Sequence, residues 1–297
     1  YGDGSNLSGV GFSPDDQGNL YAGTCAGANS DADTCSNIAL GCCAGYALNE
    51  GDYNVLFGYE SGRCLTSGYV NVMIGCQAGR CVTTGFSNVF VGQNAGVAMT
   101  STAHNNIVIG QNAGYNHDGG TVASNIFIGQ GAGCGQGGSN YVNIFIGRNA
   151  GACVCNGANY NLAIGESAGR KIINSTNNTL FGYHAGCDIT TGSANMIFGI
   201  NTGAGGTAIT GSRNILIGCR VNLPSGSCND HFAIGCCNSR WIQGDSSFNV
   251  CLAGSTIKAM ASGGVFCATT FHGDGSNLTG ITAAGTGAIG GLTIKDE

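Results

Sequence analysis

Cysteine and histidine carry the most chemical potential in this chain, seventeen of the one and five of the other, and their spacing limits what they can do. No Cys-x-x-Cys pair occurs, so the paired thiols of a zinc ribbon or a dithiol redox centre are not encoded. His104, His117, His184, His231 and His272 are dispersed, with no His-x-x-x-His or His-Glu-x-x-His spacing to hold a metal on one helix face. The close carboxylates are Asp15 with Asp16, Asp31 with Asp33, and Glu50 with Asp52. A pair of acids in one groove is what glycan cleavage needs, but these lie in turn-like segments and read as solvated turn residues. Gly131-Ala132-Gly133-Cys134-Gly135 lacks the helix that a phosphate-binding loop requires. The sequence therefore assigns no catalytic residue, no metal ligand and no cofactor, and the chain is expected not to be an enzyme. What remains for the thiols is pairing. Cys25 and Cys43, Cys64 and Cys81, and Cys219 and Cys236 each recur at one position of neighbouring repeats. Stacked repeats would bring such pairs to about 5 Å, within the disulfide Cα range. Two readings stand open, disulfide staples or reduced cysteines serving as small buried hydrophobes.

The element that positions all of these residues is a repeat. Asn, three apolar residues, Gly, two variable residues and usually Ala-Gly recur at positions 19, 37, 54, 71, 88, 106, 125, 143, 161, 178, 195 and 214, and at 231 with His in place of Asn, always 17 to 19 residues apart. A degraded fourteenth copy opens at Asn249. So short a period, filled with Gly and β-formers, encodes a solenoid. The expected fold is all-β, a β-solenoid of about fourteen coils. Residues 1–18 form a joint segment, 19–255 the solenoid, and 256–297 a second joint with the start of a following module.

With the Asn numbered slot zero, slots one and three hold Ile, Val, Leu or Phe in most copies and share one face of a strand. Slot two points the other way yet is also apolar. If slots one and three face the core, slot two forms a hydrophobic stripe that has to meet another chain. Leu56, Met73, Phe90, Val108, Phe127, Phe145, Leu180, Ile197 and Leu216 are thus the expected inter-chain face, most simply in a parallel homotrimer. Gly in slot four ends the strand, Ala in slot seven suits a tight inner position, and Gly in slot eight makes the next corner. Slots nine to sixteen vary and are expected to be outward turns. The slot-zero residues Asn19, Asn37, Asn54, Asn71, Asn88, Asn106, Asn125, Asn143, Asn161, Asn178, Asn195 and Asn214 fall in register, so their amides are placed to hydrogen-bond up the stack as a ladder.

Composition narrows the function class. Fifty-five glycines with two prolines exclude collagen, and 42% hydrophobic against 9% charged residues excludes a disordered chain. Ten Lys and Arg and a net charge of −6 argue against nucleic-acid binding. No apolar run reaches membrane-spanning length, so no membrane insertion is expected. Tyr1 and the strand-like Gly291–Glu297 give the sequence the look of a piece of a longer chain.

A second repeat brackets the first. Gly2-Asp3-Gly4-Ser5-Asn6-Leu7-Ser8-Gly9-Val10 returns as Gly273-Asp274-Gly275-Ser276-Asn277-Leu278-Thr279-Gly280-Ile281. This block, with the closing Gly291-Leu292-Thr293-Ile294-Lys295-Asp296-Glu297, resembles the modular tail-fibre and virion structural proteins of marine bacteriophages, cyanophages especially. The Asn-to-Ala-Gly phrase is also similar to the head repeat of trimeric autotransporter adhesins. The resemblance implies a homotrimeric fibre located in a virion tail or appendage, bound to other fibre or virion proteins and supporting attachment to a host surface glycan or receptor. The alternative is a cellular surface adhesin or extracellular filament. The variable turns at residues 115–123 and 204–212 are the expected places for host contact.

Overall fold

A computed structural model of the chain describes residues 14–252, except 100, 118–120, 136–137, 155–156, 238 and 248–249. Both Gly-Asp-Gly blocks, and with them the joint expected over 256–297, lie outside the described residues. The phrase beginning at Asn19 makes a strand in every copy, three residues long through the copy at Asn195 and five in the next two, because apolar slots one to three favour extended backbone and in the shorter strands the slot-four Gly ends it. The strands are β1 (Leu20–Ala22), β2 (Ile38–Leu40), β3 (Val55–Phe57), β4 (Val72–Ile74), β5 (Val89–Val91), β6 (Ile107–Ile109), β7 (Val122–Ala123) and β8 (Ile126–Ile128). They continue as β9 (Asn140–Tyr141), β10 (Ile144–Ile146), β11 (Leu162–Ile164), β12 (Thr179–Phe181), β13 (Met196–Phe198), β14 (Ile215–Cys219) and β15 (Phe232–Cys236). Two last strands are β16 (Ser239–Gly244) and β17 (Val250–Leu252). β7 and β9 form a small sheet of their own, and all the others belong to one fifteen-stranded sheet.

From β1 to β15 that sheet is parallel and in strict register, slot upon slot, as in Phe127 against Phe145 and Phe145 against Ala163. The chain is a β-solenoid of about twelve turns. The expected fourteenth coil is not one. β15 turns back into β16 as an antiparallel hairpin, and β17 pairs antiparallel with β16. The stack of parallel turns thus ends at β15, where the hairpin gives that strand a neighbour.

The facing of the strands is the reverse of the expectation. Leu56, Met73, Phe90, Val108, Phe127, Phe145, Leu180, Ile197 and Leu216 are buried within the single chain, at 0 to 1% exposure. Slot two is therefore the inner row of the solenoid and cannot be an inter-chain face. A second inner row is slot seven, with Ala44, Ala78, Ala95, Ala113, Ala132, Ala150, Ala168 and Ala185 all fully buried. A third runs through the variable segment. Leu48, Leu65, Val82, Met99, Val154, Ile172 and Ile189 occupy slot eleven and belong to the same core. Slots nine to sixteen are accordingly not all outward turns. Rows two, seven and eleven close a triangular core, and slots one and three face outward.

Two glycine positions show why the phrase is fixed. Gly129 in slot four has φ +132, and a Cβ there would stand 2.6 Å from the carbonyl oxygen of Gly147 in the next turn. Gly133 in slot eight has φ +60, and its Cβ would lie 2.6 Å from the ring of Phe127 in the inner row. Two further slots also take left-handed backbone, and Gly fills them only at Gly18 and Gly131. The residue before each Asn and the residue in slot six have φ near +55 whatever their type, including the β-branched Val70 and Val142. Each such residue costs on the order of 1 kcal/mol. The coil-to-coil hydrogen bonds fix them there, for example Val70 N–H to Asp52 O and Val142 N–H to Ala123 O.

Candidate functional site: the side-chain ladders and the outer sheet face

The buried Asn column is a continuous hydrogen-bonded chain. From Asn37 to Asn214, each backbone N–H and each Nδ2 donates to the Oδ1 of the Asn one turn earlier, at 2.8 to 3.2 Å. The second hydrogen of Nδ2 goes to a main-chain carbonyl, such as Gly68 O for Asn54 and Ala158 O for Asn143. Only a carboxamide both accepts twice and donates twice in this way. All twelve asparagines are buried, Asn19 at 2% exposure and the others at 0 to 1%.

The ladder has two ends, and different chemistry finishes each. Below Asn19 stands Asp15, whose Oδ1 accepts from the Asn19 backbone N–H at 2.7 Å and whose Oδ2 accepts from Asn19 Nδ2 at 3.1 Å. Desolvation works against the Asp15 charge, but hydrogen bonds from Asn19 and Gln17 hold its carboxyl below the ordinary value. At the other end His231 stands in slot zero. Its backbone N–H donates to Asn214 Oδ1 at 3.0 Å, but an imidazole has no carbonyl to hand the ladder on. Its Nε2 is buried without a hydrogen-bond partner, and burial followed by the charge of Arg240 lowers its pKa. The ladder thus stops where the parallel stack stops.

The acid pairs are turn builders. Asp31 Oδ1 accepts from Asp33 N–H and Thr34 Oγ1, and Asp52 Oδ1 accepts from Cys35 N–H one turn away. One hydrolase-like motif went unnoticed in the sequence. Gly165-Glu166-Ser167-Ala168-Gly169 has the Gly-x-Ser-x-Gly spacing of a nucleophile elbow. Ser167 is only 5% exposed, no helix follows it, and its φ of +56 is the common property of slot six. The motif is a corner of the repeat.

All fourteen described cysteines are free thiols, so none of the expected pairs Cys25/Cys43, Cys64/Cys81 or Cys219/Cys236 is bonded. The reduced reading also needs correction, because Cys187 alone among the described cysteines is buried. Cys25, Cys42, Cys76, Cys81, Cys153 and Cys237 are exposed, since slots five, six and ten lie on outer corners.

Beside these ladders lies the outer sheet face. Slots one and three of β2 to β15 present Ile, Val, Leu, Phe and Met, with Thr179 the one polar member. Phe57 is 55% exposed, Phe181 52%, Met196 43% and both Ile107 and Ile109 38%. At about 4.8 Å per strand and two outward side chains each, the face measures roughly 60 by 10 Å, about 600 Å². That is at the upper limit of the largest apolar patch on a typical monomer. The variable turns border two open clefts. One of about 510 Å³ is lined by Tyr115, Asn116, Cys134, Ala152, Cys153 and Ile173, and one of about 370 Å³ by Thr207, Asn222, Pro224 and Ser225 among others.

Comparison with protein families, with curated proteins and with solved structures found no match. Among the described residues no helix is long and apolar enough to cross a membrane.

Proposed function

We propose that the chain is a structural module of an extracellular fibre, a non-enzymatic spacer that associates with further copies of itself through its outer sheet face. The observation that carries this reading is the apolar face of slots one and three, interrupted only at Thr179. Burying about 600 Å² per chain at roughly 25 cal/mol per Å² supplies on the order of 15 kcal/mol of gross driving force, against an association cost of similar order. A homotrimer gives each chain two neighbours along the whole axis. The resemblance of the flanking blocks to phage tail-fibre and virion proteins supports a fibre in a phage tail or virion appendage, with other fibre proteins as partners and a host-surface glycan as the target. The clefts beside Tyr115 and Thr207 are the glycan contacts in this reading, weak singly and multiplied by the number of chains.

Immunogold labelling with an antibody against residues 19–236 tests the location. Gold on the tails or appendages of virus particles is the expected result. Gold on the surface of uninfected cells would replace the virion with the cellular adhesin reading, and gold confined to the cell interior would sink both.

A further inference from the structure

Cys219, Cys236 and Cys237 come together at the last turn of the parallel stack. Cys219 and Cys236 both occupy slot five, at the ends of β14 and β15, and are register partners. Cys237 follows in slot six with φ +52, and its N–H donates to Cys219 O at 2.7 Å. Its left-handed backbone carries its side chain alongside Cys236, with the two sulfurs 3.2 Å apart. All three sulfurs lie within 4.8 Å of one another, the only such group of three metal-ligating side chains among the described residues. We propose that this cluster is a three-thiolate site for a thiophilic d10 metal ion, Zn(II) or Cu(I), which clips the terminal hairpin to the stack.

The geometry fits that chemistry. Three sulfurs around one ion at metal–sulfur bonds of about 2.3 Å stand roughly 3.8 to 4.0 Å from each other, inside the spread of separations here. Soft thiolates select Zn(II) and Cu(I) over hard cations. Cu(I) is satisfied by three sulfurs, whereas Zn(II) takes a fourth ligand from solvent on the side of the exposed Cys237. On binding, the thiols release their protons and the ion takes up the negative charge that would otherwise accumulate. The site also sits where a clip is useful. Cys236 ends β15 and Cys237 opens the turn to β16, and the register slips between Ile234 and Gly235. The chain supplies its own control. Cys42 and Cys43 repeat the slot-five and slot-six arrangement with sulfurs 3.7 Å apart, but Cys25 does not complete a group of three.

The test is a titration of the reduced full chain under anaerobic conditions, with Cd(II) as the spectroscopic probe for Zn(II) and, separately, Cu(I) passed from a competing chelator. The wild type is expected to bind one more ion per chain than C236S/C237S, and as many as C42S/C43S. Uptake of Cd(II) alone assigns the site to Zn(II), and uptake of Cu(I) alone to copper. Should C236S/C237S fail to fold, X-ray absorption of the loaded wild type decides the matter, with three sulfur neighbours per ion expected. Equal stoichiometry in the wild type and C236S/C237S, fewer than three sulfur neighbours, or a Cys219–Cys236 disulfide in the chain purified without reductant would each overturn the proposal.

Discussion

Asn125 makes six hydrogen bonds through its side chain and backbone N–H: donors to Asn106 Oδ1, Ala123 O and Asn140 O, and an Oδ1 that accepts twice from Asn143. Replacing it with Ala leaves the backbone N–H of Asn143 and the carbonyl of Asn140 without partners, in a site sealed from water. Asn125→Ala is expected to destabilise the adjoining turns by on the order of 3 kcal/mol, read as faster amide exchange at Ile126 and Ile144 than at distant rungs. The opposite change is available at the ladder's end. His231→Asn restores the missing Nδ2 donor to Asn214 Oδ1 and removes the orphaned Nε2, and it should stabilise the last turn by about 1 kcal/mol. It should also alter the pH response. The folded pKa of His231 lies below its ordinary value of 6.5, so the unfolded chain binds the proton more readily. The contribution of His231 is full above that ordinary value and is lost as pH falls toward the folded one. Exchange in β14 and β15 should therefore speed up between pH 7.5 and pH 5.5 in the wild type, beyond the intrinsic amide rate, and less so in His231→Asn.

At the scale of the strand, the two faces differ sharply in what they tolerate. Phe127 is fully buried in slot two and stacks on Phe145 with ring centroids 5.4 Å apart. Phe127→Ala should cost about 3 to 5 kcal/mol, whereas Phe57→Ala, on the half-exposed outer face, should cost a single chain less than about 1 kcal/mol. Chemical denaturation of both variants at a dilution where the chain is monomeric checks the contrast. The period, the strands, the glycine corners and the alanine row could all be read from the repeat, because each needs a particular residue type in a particular slot. The direction of the strand could not, since slots one, two and three are all apolar and alternation is silent when both faces match. A hint lay in the variable segment. Slot eleven is apolar in turn after turn, as Leu48, Leu65, Val82, Met99, Val154, Ile172 and Ile189, a regularity that an outward turn does not require. The left-handed backbone before each Asn and in slot six left no signature at all. Val70, Tyr53, Arg213 and Asp230 adopt it alike, because the hydrogen bonds between turns impose it. The hairpin of β15 and β16 was hidden for a related reason: Val250–Leu252 keeps the apolar phrase but pairs antiparallel.

For the whole molecule, the proposed association would use a surface other than the ones that stabilise the chain. The core rows and the Asn ladder hold one chain together turn by turn, as neighbour-to-neighbour terms expected to unravel from the ends. Acid acts on those ends and corners. Asp15 is held below its ordinary value, against desolvation, by hydrogen bonds from Asn19 and Gln17, Glu60 by a hydrogen bond from Gln77 and then by Arg80 and Arg63, and Asp230 by its bond to Arg213. Each contributes stability that is complete above the ordinary carboxylate range and is lost as pH falls through its depressed folded value. Circular dichroism should therefore show acid unfolding below about pH 4, with Asp15→Asn, which keeps one acceptor, unfolding first at the Asn19 end in exchange experiments. The outer face is the surface proposed for assembly. The most direct measurement of the central claim is the mass in solution, by light scattering, of the wild type, of Phe57→Lys/Ile109→Lys/Phe181→Lys on the outer face, and of Phe90→Leu/Phe127→Leu in the core. A trimeric wild type, a folded monomer for the lysine variant and a trimer for the core variant are predicted. A wild type that is monomeric at every concentration, or a lysine variant that stays trimeric, would contradict self-association through slots one and three.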